Sequence, residues 1–176
     1  MTPVLYLIMR NDLPSMNPGK LAAQAAHVAQ AFTMHINNTC QSNYPPIEHI
    51  EGSLGDLYVK WLADRAFGTT ITLGANIDFI DEMIFNSSKS NQWLMNTVND
   101  PTYPMSIPYE AGKALKHYGW VEDCVDPKES LHDFIHVDDE NKTAVFLRDC
   151  TVGGYVFGDK DSPDIQTFLK DLKLYP

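Results

Sequence analysis

The passage from an unbroken apolar run into an alanine-rich helix, all within the first forty residues, constrains this chain more than any other feature. Val4-Leu5-Tyr6-Leu7-Ile8-Met9 holds six apolar residues in a row and gives way to Arg10-Asn11-Asp12. A strand wetted on one face alternates apolar and polar side chains. A run without alternation predicts a strand covered on both faces, in the middle of an α/β sheet. Pro14, Ser15 and Asn17 supply turn chemistry, and Asn17 before Pro18 predicts a helix with Asn17 as N-cap and proline in the first position. Alanine fills five of the nine positions Leu21–Ala29, which favours a helix thin enough to pack close to a sheet.

At 3.6 residues per turn, Leu21, Ala25, Val28 and Phe32 form one apolar face, with Lys20, Gln24 and His27 as a polar stripe beside it. Lys20 then falls in the first turn, where backbone N–H groups and the helix dipole favour an anion. That end of the helix faces the carboxyl end of the strand, the place where open α/β sheets take ligands. By pattern alone the ordinary reading is a solvated, half-polar helix.

Further along, Gly52–Ala66 reads as a helix with Leu54, Leu57, Tyr58, Trp61 and Leu62 on its apolar side, ended by Gly68. Thr69–Leu73 alternates like a strand, and Asn76 or Asp78 caps a third helix that buries Ile77, Ile80, Ile84 and Phe85. From Asn86 the composition shifts toward Ser, Asn and Pro, so residues 86–140 read as a loop-rich insertion with short helical pieces, one over Tyr109–Tyr118 and one opening at Asp126-Pro127. Its aromatics Trp93, Tyr103, Tyr118 and Trp120 are expected to pack rather than to stand out as base-stacking platforms. Thr143–Arg148 and Gly153–Phe157 read as two strands, and Ser162-Pro163-Asp164 opens a last helix burying Ile165, Phe168, Leu169 and Leu172. The expected fold is a single α/β domain over 1–176: a four-stranded mixed sheet with helices on both faces, in three layers, interrupted by the insertion.

Composition narrows the function classes. The three cysteines, Cys40, Cys124 and Cys150, are widely spaced and form no CxxC pair, which suits free thiols in a reducing cytoplasm. The first residues lack the charged start of a secretory leader, and no run approaches the length that spans a bilayer, so no membrane partner is expected. The net charge of −10 is unlike a nucleic-acid surface. It is also uneven: residues 1–76 hold four basic and five acidic side chains, the rest nine and eighteen. Contact with the end of a nucleic acid is therefore more plausible than a wrapped duplex. His132 and His136, at i and i+4, flank Phe134 and Ile135 and lack a metal-binding pattern, and Asp138–Lys142 suits a solvated turn, so no metal and no cofactor are expected.

The stretch Arg10-Asn11-Asp12-Leu13, Met16, Gly19-Lys20-Leu21-Ala22-Ala23-Gln24 and His27 resembles the signature of the archaeal and eukaryotic type of peptidyl-tRNA hydrolase, a family distinct from the bacterial enzyme. The resemblance continues more weakly through Trp61, Gly68 and Thr70–Leu73, then at Leu147-Arg148-Asp149 and in the closing Asp171–Tyr175; 86–140 has no counterpart. It implies hydrolysis of the ester joining a peptide to the 3′ end of tRNA, with peptidyl-tRNA bound by its acceptor end. Lys20 matches the motif lysine and is the candidate for oxyanion stabilisation or phosphate anchoring. Asp149 matches the strand-end aspartate that orients Lys20 or the water. Arg10, Asp12, Gln24, His27 and Thr151 are the candidate substrate-binding residues, although pairing of Arg10 with Asp12 is as strong a reading for those two. The family follows its aspartate with Ala-Gly-Arg-Thr and a longer loop. Here Asp149-Cys150-Thr151-Val152-Gly153 runs almost directly into the next strand; the arginine is absent, and Thr151, at a different spacing, is the candidate to replace the threonine. Two other functions stay open: a fold relative that binds or regulates without catalysis, and a hydrolase or transferase for another small ester or amide. A homodimer is the assembly left open.

Overall fold

The computed structural model describes residues 1–13, 16–41, 53–64, 68–86, 93–118 and 135–175. The elements run β1 (Pro3–Arg10), α1 (Pro18–Gln41), α2 (Leu54–Ala63), β2 (Thr69–Ala75), α3 (Ile77–Asn86), β3 (Leu94–Ile107), α4 (Tyr109–Tyr118), β4 (Ile135–Asp138), β5 (Thr143–Asp159), α5 (Pro163–Leu169) and β6 (Lys173–Leu174). The sheet has six strands rather than four, in the order β3-β5-β1-β2-β6 with β4 paired to β5. Its orientation is mixed: β1 runs parallel to β2, β5 antiparallel to β1 and β4, and β6 antiparallel to β2. The chain divides into two compact units, Met1–Val98 with Thr151–Pro176, and Asn99–Cys150, so the boundary falls inside β3 and inside β5.

In the first unit β1 is the central strand that its apolar run predicts. Leu5, Leu7 and Met9 point to one face, where Val28, Phe32 and Ile36 of α1 and Leu57 of α2 meet Tyr155 and Phe157 of β5. Ile8 points the other way, where Ile80 and Met83 of α3 and Ile165 and Leu169 of α5 pack on Leu73, Met95 and Val156. Each face thus has its own core, and helices cover both. Phe32 sits at the middle of the first core, with the rings of Tyr58, Trp61, Tyr155 and Phe157 centred 5.1–6.1 Å away. Gly153 and Gly68 are among the glycines that close approach requires. A Cβ on Gly153 would stand 2.4 Å from the Ile8 carbonyl oxygen, and Gly68 takes φ 65° beneath the Trp61 ring.

Several expectations need correcting. Thr143–Arg148 and Gly153–Phe157 are one strand of 17 residues, because the chain stays extended through Asp149-Cys150-Thr151-Val152. The region expected to be loop-rich contains a 14-residue strand, β3. Its Asn96, Pro101 and Pro104 argue against a strand in a sheet interior, but β3 lies at the sheet edge, where a missing N–H costs no ladder bond. The short closing strand β6 has too few residues for any pattern to reveal. On α3 the buried pair is Ile80 and Met83, while Ile84 is 50% and Phe85 75% exposed; on α2, Leu62 is 44% exposed. The expected helix at Asp126-Pro127, Trp120 and His132 lie outside the described residues.

The second unit holds α4, within the bounds its sequence predicts, and the β4–β5 hairpin. Asp138 closes the hairpin turn, its carboxylate accepting the N–H groups of Glu140 and Asn141 at 3.0 Å each. Gly112 lets α4 approach the strand: a Cβ there would lie 2.3 Å from that of Ala144. Tyr103 is fully buried here, and in the first unit Trp93 packs edge-on against Phe168, as packed aromatics would.

Candidate functional site

The site is assembled at the carboxyl ends of β1 and β2, where the crossover through α1 and α2 returns the chain to a parallel neighbour. The helix start follows the sequence closely. Asn17 Oδ1 accepts the N–H of Lys20 at 3.0 Å, and the Asn17 carbonyl accepts the first helical bond, from Leu21 N at 2.8 Å. Because the cap takes the Lys20 amide, what Lys20 offers a ligand is its ammonium group, together with the positive end of a 24-residue helix. The side chain is half-buried.

The stripe along α1 differs from the one the sequence suggests. Gln24 is only 4% exposed and lines up with Val28, Phe32 and Ile36 at four-residue spacing, so it belongs to the face turned toward the sheet. Lys20 stands at the head of that same row, one turn before Gln24. His27 is exposed and lies off it. The row therefore passes from apolar to polar as α1 reaches the end of β1.

Arg10 and Asp12 form the second part of the site. The Arg10 guanidinium grips Asp12 through two bonds, Nε to Oδ1 at 2.8 Å and Nη2 to Oδ2 at 2.9 Å, and its Nη1 donates to the Thr151 carbonyl at 3.3 Å. Asp12 Oδ2 also accepts the N–H of Ile77, the first residue of α3, at 3.2 Å. The Arg10 fork, chiefly by hydrogen bonding, holds the Asp12 carboxyl below the usual carboxylate range, and the Ile77 N–H adds to it. With these bonds made, Arg10 and Asp12 tie the end of β1 to β5 and to the start of α3. Thr151 takes part through its backbone carbonyl.

A residue that the sequence reading left out of the site is Tyr175. Its N–H donates to the Thr72 carbonyl at 3.1 Å and its hydroxyl to the Arg10 carbonyl at 3.3 Å, fastening the end of the chain beside β1. The closing Leu174-Tyr175 was its sequence signal. His35 has no such signal: its half-buried ring nitrogen meets the hydroxyl of the core residue Tyr155 at 2.5 Å, and burial pushes that phenol far above its ordinary value.

Asp149 is placed differently from the expectation. It is an exposed residue in the interior of β5, not at a strand end, and it belongs to the second unit. No loop follows it. Among the described residues no cluster of three His, Cys, Asp or Glu side chains forms a metal site, and no helix is long and apolar enough to cross a membrane.

Residues 3–65 match the protein-family model described as Peptidyl-tRNA hydrolase PTH2. That span takes in β1, the Asn17 cap, Lys20, Gln24, His27 and all of α2, and it ends before Gly68, Asp149 and the closing Tyr175. No curated protein matches the chain.

Proposed function

We propose that this chain, whose residues 3–65 match the family model described as Peptidyl-tRNA hydrolase PTH2, hydrolyses the ester between a peptide and the 3′ end of tRNA. The carrying observation is Lys20: a half-buried ammonium in the first turn of an Asn17-capped helix, at the carboxyl end of a central strand and one turn from the buried Gln24.

The chemistry asks little of the protein. Water adds to the ester carbonyl carbon and gives a proton to a base; the bond to the ribose oxygen breaks, and that oxygen leaves protonated. The barrier lies in the negative charge that grows on the carbonyl oxygen, and a fixed cation outside bulk water stabilises it. Lys20 supplies that cation, aided by the α1 dipole. Gln24 offers a polar group beside it, and Arg10, Asp12 and Thr151 keep the neighbouring strand ends in place. Asp149 enters only by the resemblance, as the aspartate that orients the water, and His27 is the candidate for contact with the acceptor end. The acidity of the chain lies mostly outside residues 1–76, which suits recognition of a tRNA end by this region.

The test is release of labelled peptide from peptidyl-tRNA by the purified protein with Lys20→Ala beside it. Turnover that vanishes in the variant supports the reading. No turnover by the folded wild type overturns it in favour of a binding module on the same fold, a reading that the missing loop after Asp149 would favour.

A further inference from the structure

On the sheet face opposite to α1, in the first unit, residues of α3 and α5 with Trp93 line an open groove of about 530 Å³. Its floor is aromatic. The Phe79 and Phe168 rings lie 4.9 Å apart between centroids, and Trp93 meets Phe168 edge-on at 5.2 Å. Its rim is acidic: Glu82 comes from α3, Asp164 from the first turn of α5 and Asp171 from the segment after α5, against Lys170. Ring faces and carboxylates together suit one ligand chemistry, a cationic group on an apolar stem, since the faces attract the charge and cover the stem while the carboxylates accept its N–H bonds. An anion meets three carboxylates against the one ammonium of Lys170 here, and a neutral apolar ligand makes no use of that excess of negative charge.

The surface continues beyond these residues. Phe85 lies one turn past Glu82 on α3, 75% exposed, with Asp78 and Asp81 on the turns before it. An aromatic side chain this exposed among carboxylates gives an apolar anchor beside the aromatic floor, within reach of a chain but not of a single small cation. We propose that this groove binds a basic, arginine-bearing peptide segment of a partner protein, with one guanidinium over the Phe79–Phe168–Trp93 floor between Glu82 and Asp171, and a neighbouring apolar residue against Phe85. The site shares no residue with the Lys20 site and does not depend on the hydrolase reading.

The probe is a fluorescein-labelled tetra-arginine peptide flanked by leucines, titrated with the full-length protein and followed by anisotropy. A citrulline version removes the charge at nearly constant shape, and spermine supplies a small oligocation. The arginine peptide is expected to bind with an affinity that falls as salt rises. The citrulline peptide is expected to bind at least about tenfold more weakly, the weight of a lost charge-assisted bond. Glu82→Gln with Asp171→Asn should weaken the arginine peptide by a similar factor and leave release of peptide from peptidyl-tRNA unchanged. Phe85→Ser, a surface change that spares the core, should weaken the peptide and not spermine. Equal binding of both peptides, or equal binding by wild type and the double variant, overturns the proposal. Spermine binding as tightly as the peptide also overturns it, by assigning the groove to small cations.

Discussion

Arg10 and Asp12, two residues apart where β1 ends, are joined edge to edge, with Nε–Oδ1 at 2.8 Å and Nη2–Oδ2 at 2.9 Å, and the same carboxylate receives the first N–H of α3. A carboxyl whose folded value is depressed contributes stability above its unfolded value, and that contribution is lost as the pH falls through the folded value. The unfolded value lies near pH ~4. Asp12→Asn is therefore expected to lower stability by about 1 kcal/mol at neutral pH, the scale of a partly exposed but bidentate pair. The gap to wild type should close as the pH drops below about 4. Thermal unfolding of both proteins across this range checks it; parallel curves would mean that the pair adds nothing to folding.

Lys20→Ala is expected to reduce peptide release by about a hundredfold or more, on the scale of losing one group that stabilises an oxyanion. The Asn17 cap bonds the Lys20 backbone and is kept in the variant, so α1 is expected to start at the same residue. Single-turnover kinetics read beside thermal unfolding separate loss of chemistry from loss of fold. A variant with wild-type turnover would remove Lys20 from the mechanism.

Asp149→Asn is expected to slow hydrolysis markedly without loss of fold, since the residue is exposed and asparagine preserves its shape. Single-turnover kinetics beside thermal unfolding is the informative measurement, because a slower chemical step at an unchanged melting temperature marks a role in hydrolysis. An unchanged rate would leave Asp149 as an exposed strand residue.

Phe32→Ala is expected to destabilise the first unit by about 3–5 kcal/mol, the usual cost of deleting a buried aromatic. The ring is 1% exposed and touches four other aromatic rings, from α2 and β5, so no single neighbour can close the gap. Denaturant unfolding measures it; a loss below about 1 kcal/mol would show that the cluster repacks.

The local parts of the fold were legible because they are set by neighbours in sequence. The run Val4–Met9 identified a strand covered on both faces, Asn17-Pro18 marked the helix start at the position where Asn17 caps it, and Ser162-Pro163 marked the start of α5. Periodicity failed at Gln24, which reads as part of a polar stripe yet is buried, and at Phe85, which reads as core yet is exposed. Both sit where the apolar arc of a helix meets its polar side, and there the contacts of the packed helix outweigh the pattern.

Sequence by itself determined the central strand, the capped helix that carries Lys20, and the family signature at the start of the chain, because each depends on residues within a few turns of one another. Tertiary structure alone decided that β3 could hold two prolines at a sheet edge, that β5 would run unbroken through Asp149, and that Arg10, Asp12, Ile77, Thr151 and Tyr175 would meet. Edge position, strand continuity and contacts between distant residues all depend on which strands become neighbours. Many separate segments settle that together by burying their apolar faces, so no single window of the sequence contains it.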